Sequence, residues 1–418
     1  MIVLVNFNSY LGGGETLFVR MAKYITEETS EKLKLFYSKK SYIADDLNRI
    51  GIARDCLCPF SGEIEYFYLN NTKKELLKSF IVKACKECND VKLVSFCYRD
   101  LYLLVDVAKE ISGATVSHLI LHDEDNLYLG QSLINKLEYI FFKKKKFSNR
   151  KILDFNNKLF FNLNKANALI GEKETTKIVM HKYGIDIKDS AIVPPPMCEF
   201  EEEPPFVAPG KKILWIGRFV DFKLPAIASM LSFISAHQDY SLSLIGDGDI
   251  EFLINYAKVN NLNLNNVYFL GLQPYDKIDD IIREHSIGYA CGTSIVEIGK
   301  HGLPVITALF SPNHKLFTNA ICGGLYDNKY KGNEGNNLLV GESEENQPLI
   351  ESVIKEIENN FDSARKKSYN CMKDDFNLSS NMNSYLKIIK NATALNYNNV
   401  NLPKCSLFRR MAFYLFAK

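Results

Sequence analysis

Twice along this chain an apolar run gives way to a glycine-bearing turn and then to helical periodicity, and no other feature restricts the fold as much. Residues 1–7 are almost continuously apolar, the turn after them holds Gly12, Gly13 and Gly14, and residues 15–25 place apolar side chains at helical spacing. Short strand candidates follow at 33–37, 93–96, 115–121 and 168–170, separated by segments long enough for crossovers, as over the helical run 73–88. Parallel strands require such crossovers, so the first half predicts a parallel α/β sheet.

Near residues 192–210 the alternation stops. Pro194, Pro195, Pro196, Pro204, Pro205 and Pro209 lack backbone donors, so this stretch can continue neither a helix nor a central strand. Beyond it the pattern restarts, with strands expected at 213–216, 241–245, 267–270, 288–291 and 304–308. Helices are expected near 224–236 and 250–259, and between the last two strands. The simplest organisation is α/β: two Rossmann-like, doubly wound parallel-sheet domains, 1–195 and 196–385, facing across a cleft that is the natural ligand site. The asparagine-rich stretch 391–401 leads to an apolar and cationic end. Residues 386–418 are therefore expected to form a tail and helix, docked on the first domain or facing a membrane.

Composition removes several classes. With 46% hydrophobic and 24% charged residues over 418 positions, the chain is an ordinary globular one. Its 51 Lys+Arg against 49 Asp+Glu give a net charge of +2, unlike a dedicated nucleic-acid binder. No apolar stretch approaches the roughly 18 residues of a membrane span, and the first residues lack the basic start of a secretory signal, so a cytoplasmic protein is expected. Ten cysteines are too dilute for a disulfide framework. Cys56, Cys58, Cys85 and Cys88 could furnish zinc thiolates, although core packing of one helix face accounts for Cys85 and Cys88 as well.

The chemistry concentrates between residues 213 and 308. Gly217, Arg218 and Lys223 put two cations on a strand-to-helix turn at the carboxyl edge of the sheet, where anions bind in α/β folds; a diphosphate would suit both. Gly246 and Gly248 form a tight turn after the next strand, which lets backbone come close to a ligand. Gly292, Thr293 and Ser294 open a helix, where free N–H groups are expected to face the cleft, and Glu297 one turn on can accept hydrogen bonds from a diol.

In order and spacing these pieces resemble glycosyltransferase family 4. They are Gly217-Arg218 with Lys223, Ile245-Gly246-Asp247-Gly248, Val267 to Gly271, and Glu297 with Gly302-x-Pro304-Val-Ile. In the first half, Gly12-Gly13-Gly14-Glu15 is similar to the family's Gly-Gly-x-Glu loop. The resemblance implies the GT-B arrangement and transfer of a hexose or N-acetylhexosamine from a nucleotide-diphosphate sugar, such as a UDP-sugar, with retention. The acceptor would be a glycan or lipid-linked molecule in surface polysaccharide or lipopolysaccharide assembly. It makes Arg218 and Lys223 the cations on the diphosphate, Glu297 the acceptor for the ribose hydroxyls, and Thr293 and Ser294 amide donors to phosphate. Gly13 and Gly14 would approach the diphosphate and acceptor, and His122 looks like the family's active-site histidine near the sugar. No cofactor or metal is implied beyond the donor as co-substrate. The family often carries a further glutamate eight residues before Glu297; here that position is Tyr289.

Three other readings compete. Asp123 and Asp125 follow a hydrophobic strand as a metal-binding Asp-x-Asp would, which suits a metal-dependent transferase. A dinucleotide oxidoreductase fits less well, because Glu251 stands where the third glycine should and meets a pyrophosphate with the wrong sign. A non-catalytic nucleotide-sugar-binding module is suggested by Tyr289. Finally, Lys143, Lys144, Lys145 and Lys146 among phenylalanines, together with the 406–418 end, suit peripheral contact with an anionic inner membrane surface.

Overall fold

The computed structural model describes residues 1–8, 12–61, 64–86, 88–122, 150–311, 314–327, 329–405 and 410. It divides into two compact units, Met1–Pro196 with Ser380–Lys418, and Met197–Ser379.

The first unit is built on six strands: β1 (Ile2–Asn6), β2 (Leu33–Ser38), β3 (Leu57–Phe60), β4 (Lys92–Ser95), β5 (Thr115–Ile120) and β6 (Leu169–Gly171). Their order is β3-β2-β1-β4-β5-β6 and every pair is parallel. Every residue of β1 and β5 is buried, which is why these strands read as unbroken apolar runs rather than alternating ones. The crossovers are α1 (Gly13–Glu28), α2 (Tyr42–Arg49), α3 (Asn71–Cys85), α4 (Tyr98–Ala108) and α5 (Arg150–Lys165); α6 (Glu174–His181) follows β6. β3 is absent from the sequence reading because Pro59 interrupts it. At the sheet's edge that missing donor costs no ladder bond.

The second unit repeats the plan with β7 (Lys212–Ile216), β8 (Ser241–Ile245), β9 (Val267–Gly271), β10 (Ile287–Ala290) and β11 (Val305–Thr307). All are parallel, in the order β11-β10-β7-β8-β9. Its helices are α7 (Leu224–Ala236), α8 (Ile250–Val259), α9 (Tyr275–Arg283), α10 (Ser294–Gly299), α11 (Ile350–Asn359) and α12 (Phe361–Phe376). α7 is buried along most of its length, beside a core centred on Trp215, Leu231, Leu242 and Tyr289. In each sheet the chain first builds outward on one side and then crosses to the other. The order therefore reverses between β1 and β4 and again between β7 and β10. A crevice opens at the carboxyl ends of the strands wherever the order reverses in this way.

The proline segment forms no helix. Residues 201–205 of it lie along α12, where Tyr369 donates to the Glu201 carbonyl at 3.2 Å and Arg365 to the Pro205 carbonyl at 3.2 Å. Residues 380–385, grouped with the second domain on sequence, pack with the first unit: in α13 (Leu378–Asn391) Asn381 donates to the Pro194 carbonyl and Tyr385 to that of Val193. The chain then stays on the first unit as far as the buried Cys405, with the Tyr397 hydroxyl accepting from the Val116 N–H at 2.9 Å.

The zinc alternative is not realised. Among the described residues no cluster of three or more potential metal ligands exists. Burial drives the Cys85 thiol up to about 12, and Cys88 Sγ packs 3.6 Å from Met1 Sδ. No described helix is long and apolar enough to cross a membrane. Lys143 to Lys146, Asp123, Asp125 and, apart from Arg410, residues 406–418 lie outside the described residues.

Candidate functional site

In the second unit the candidate residues gather at the carboxyl edge of the sheet, around the reversal between β7 and β10. The turn after β7 carries Gly217 and the exposed Arg218, and ends at the half-buried Lys223, the N-cap of α7. The turn after β10 is only Cys291, Gly292 and Thr293 before α10 starts at Ser294. Lys223 reaches across from one turn to the other. Its Nζ is 3.6 Å from where a Cβ on Gly217 would stand and 3.9 Å from where one on Gly292 would stand. The faces of Phe222 and Phe310 flank it at 6.0 and 5.9 Å. Among the described residues no carboxylate lies within 4.0 Å of this ammonium. A half-buried cation without an acidic partner, between two glycine turns, is arranged to take an anion from outside the fold.

The remaining pieces differ in what they contribute. Gly292 has φ +69°, but its N–H already donates to the Glu334 carbonyl at 2.9 Å, so it is not one of the free donors expected there. The N–H groups of Thr293 and Ser294 have no acceptor among the described residues. α10 is a six-residue helix, so what this end offers is two amides rather than a long macrodipole. Glu297 is half-buried in the first turn, with its Oε2 3.0 Å from Lys300 Nζ. Gly246 also departs from expectation: a Cβ there would stand 2.1 Å from the Gly217 carbonyl oxygen, and one on Gly248 2.3 Å from that of Phe219. The close approach these glycines permit is between the turns after β7 and β8, which fixes the turn bearing Arg218.

Tyr289 lies inside β10, fully buried, donating from its hydroxyl to the Ala226 carbonyl at 2.9 Å. Counting back from Glu297 therefore lands in the core, and the short β10–α10 connection carries no carboxylate at all.

In the first unit, Gly13, Gly14 and His122 lie at the carboxyl edge of the other sheet. Gly12 is the N-cap, and Gly13 and Gly14 form the first turn of α1 rather than a loop. A Cβ on Gly14 would come 2.9 Å from Leu121 Cδ1, so the exposed His122 directly follows a residue seated on that turn. Glu15 curls back toward Gly12 and accepts from Asn8 Nδ2 at 2.7 Å, placing a carboxylate over the free end of the helix. Asp100, buried at the start of α4, accepts from the Phe7 N–H at 3.3 Å and from the Cys97 thiol at 3.1 Å. Burial pushes Asp100 up to about 7, against the Cys97 hydrogen bond and the Arg99 charge. The sequence does not announce the Glu15 carboxylate at the helix start, Asp100 or Glu334. Only Glu15 left a local signal, an acidic residue in a helical first turn.

A cavity of about 570 Å³ in the second unit, lined by Phe206, Arg283, His285, His301 and Tyr369 among others, contains none of these residues. It opens where β10 begins, at the amino edge of the sheet.

No family model matches the chain, and no curated relative does. Solved structures do. A glycosyltransferase from Rickettsia africae aligns with 93% of this chain and 97% of its own at TM-score 0.59 and 15% identity. Anabaena Alr3699/HepE in complex with UDP aligns over 92% and 98% at TM-score 0.58 and 13% identity. WaaG, a glycosyltransferase involved in lipopolysaccharide biosynthesis, aligns over 93% and 99% at TM-score 0.51 and 11% identity. The chain has the GT-B fold. That places both parallel sheets and their strand-order reversals within one known two-domain α/β architecture.

Proposed function

We propose that this chain is a retaining glycosyltransferase that takes a sugar from a nucleotide diphosphate. The observation that carries the reading is Lys223, an ammonium without a carboxylate partner held between the turns after β7 and β10. Ligands bind at such a reversal of strand order in open α/β sheets, and a diphosphate supplies the anion this cation lacks. That HepE was solved with UDP and with UDP-glucose supports a uridine donor.

As the bond between the anomeric carbon and the diphosphate breaks, its electron pair moves onto the leaving oxygen. Lys223 and Arg218 neutralise the growing charge, and the N–H groups of Thr293 and Ser294 donate hydrogen bonds to the oxygens that carry it. Donors already oriented toward a developing charge contribute about 3 kcal/mol each to such a step. The acceptor hydroxyl attacks from the same face and gives its proton to the departing phosphate, so no enzyme nucleophile is needed and configuration is retained. Glu297 is assigned to the ribose hydroxyls. His122, Gly13 and Gly14 are assigned to the sugar and acceptor. A glycan or lipid-linked acceptor in surface polysaccharide assembly, reached at the inner membrane face, completes the reading.

Thermal-shift titration with UDP-, GDP-, CMP- and dTDP-sugars, each with and without EDTA, tests it. Ligands that bind only the folded state raise the midpoint. A rise with one nucleotide that survives EDTA is expected. A rise abolished by EDTA would transfer the assignment to the metal reading at Asp123 and Asp125, and no rise with any donor would remove it.

A further inference from the structure

Beside the Lys223 cradle the fold holds a carboxylate that neither strand nor helix periodicity announces. Glu334 lies on the segment 330–337 and is 9% exposed, with Asn333, Asn336 and Asn337 buried around it. Several hydrogen bonds fix this segment. Asn333 Oδ1 accepts from the N–H groups of Gly335 and Asn336 at 3.1 Å, and its Nδ2 donates to Asn337 Oδ1 at 2.8 Å. Gly332 N–H donates to the buried Asp375 at 2.8 Å.

The segment is also tied to the carboxyl ends of β10 and β11. The Glu334 carbonyl accepts from Gly292, the Gly335 carbonyl from Phe310, and a Cβ on Gly335 would strike the Ala308 carbonyl oxygen at 2.1 Å. Gly335 has φ +106°, so glycine is required there on both counts. The result is a glutamate anchored through its backbone at the strand ends that Lys223 also approaches. Both charges are felt at Cys291: burial drives its thiol up to about 11, with Lys223 opposing and Glu334 adding to the rise.

A carboxylate at this place would repel a diphosphate, yet a buried polar network fixes the backbone of the segment that bears it. An ionised carboxylate is an acceptor with about four lone-pair sites, and its matching neighbour is a pair of hydroxyls. The β10–α10 turn is too short to supply such a group and Tyr289 is in the core. We infer that Glu334 is a specificity-determining residue of the donor site: its carboxylate accepts hydrogen bonds from hydroxyls of the transferred sugar. This rests on the glycosyltransferase reading above.

Calorimetric titration of the full chain separates the two ideas. Wild type and Glu334→Gln are titrated with UDP, UDP-glucose and UDP-galactose, and with GDP and GDP-mannose. For the pair that wild type binds, Glu334→Gln should weaken the nucleotide sugar about tenfold while the bare nucleotide stays within twofold, since hydrogen bonds to a charged group are the stronger kind. Equal affinity of both proteins for the nucleotide sugar would overturn the inference and leave the enzyme reading standing. Loss of bare-nucleotide affinity in a folded Glu334→Gln would also overturn it, by placing the residue at the nucleotide. Wild type that binds no nucleotide would remove both. If Glu334→Gln fails to fold, Glu334→Asp keeps the charge and shifts it by one methylene. It should alter the ratio of affinities between UDP-glucose and UDP-galactose, and an unaltered ratio would count against the inference.

Discussion

The hydroxyl of Tyr289 donates to the carbonyl of Ala226 at 2.9 Å, joining β10 to α7 in the interior of the second unit. Tyr289→Phe removes that one bond and keeps the ring packed against Trp215. It should cost about 1 kcal/mol in urea unfolding. Nucleotide-sugar affinity should not change. Tyr289→Glu should instead destabilise the fold by several kcal/mol, since a carboxyl would be buried without a partner, and should not create a sugar contact. Tighter donor binding by Tyr289→Glu would place this position at the site after all.

Removing the cation between the two turns should impair chemistry without unfolding the chain. Lys223→Ala is expected to lower turnover about tenfold or more, the range for losing one preoriented charge at a leaving group, with a thermal midpoint close to that of wild type. Glu297→Ala should act mainly on donor affinity. Steady-state kinetics with the matched donor distinguish the two, and normal turnover in Lys223→Ala would show that the anion site lies elsewhere.

Gly246 is held at φ +146° with the Gly217 carbonyl where a side chain would begin. Gly246→Ala must separate the turns after β7 and β8 and should destabilise by about 2 kcal/mol or more. Because Arg218 rides on the displaced turn, nucleotide affinity should fall too. Denaturant unfolding and calorimetry on the same preparation check both effects.

Asp100 makes stability depend on pH in a defined direction. Burial holds its carboxyl up at about 7, whereas an unfolded aspartate titrates near 4. The folded state therefore keeps a proton that the unfolded chain releases. The stabilising contribution is fully present below about pH 4, declines as pH rises, and is gone above about pH 7. Asp100→Asn should remove this slope, so wild type should lose stability relative to the variant between pH 4 and 7. Parallel profiles for the two proteins would mean that Asp100 is already ionised when folded.

Much of the architecture is legible in the sequence because it is written locally. Helices 224–236 and 250–259 were expected at the limits α7 and α8 adopt, each bounded by turn residues and carrying enough apolar positions to bury a face. The first strand and the proline segment likewise follow from single-residue properties, an apolar run and missing donors. β3 was hidden by Pro59, and the start of α1 at Gly13 was hidden because its N-cap, Gly12, offers no side-chain cap.

What the sequence determined by itself was the alternation of strands and helices, the break between the two halves, and the cations of the turn after β7. Strand order was decided only in the tertiary structure, since a crossover can return to either side of a sheet and the choice depends on packing over the whole unit. The same packing brings Lys223 to Gly292, takes Tyr289 into the core and sets Glu334 beside strands that end more than twenty residues earlier. Periodicity reports how each residue meets its own helix or sheet. Which polar groups share a site depends on contacts distant in sequence, and these exist only once the hydrophobic cores have closed.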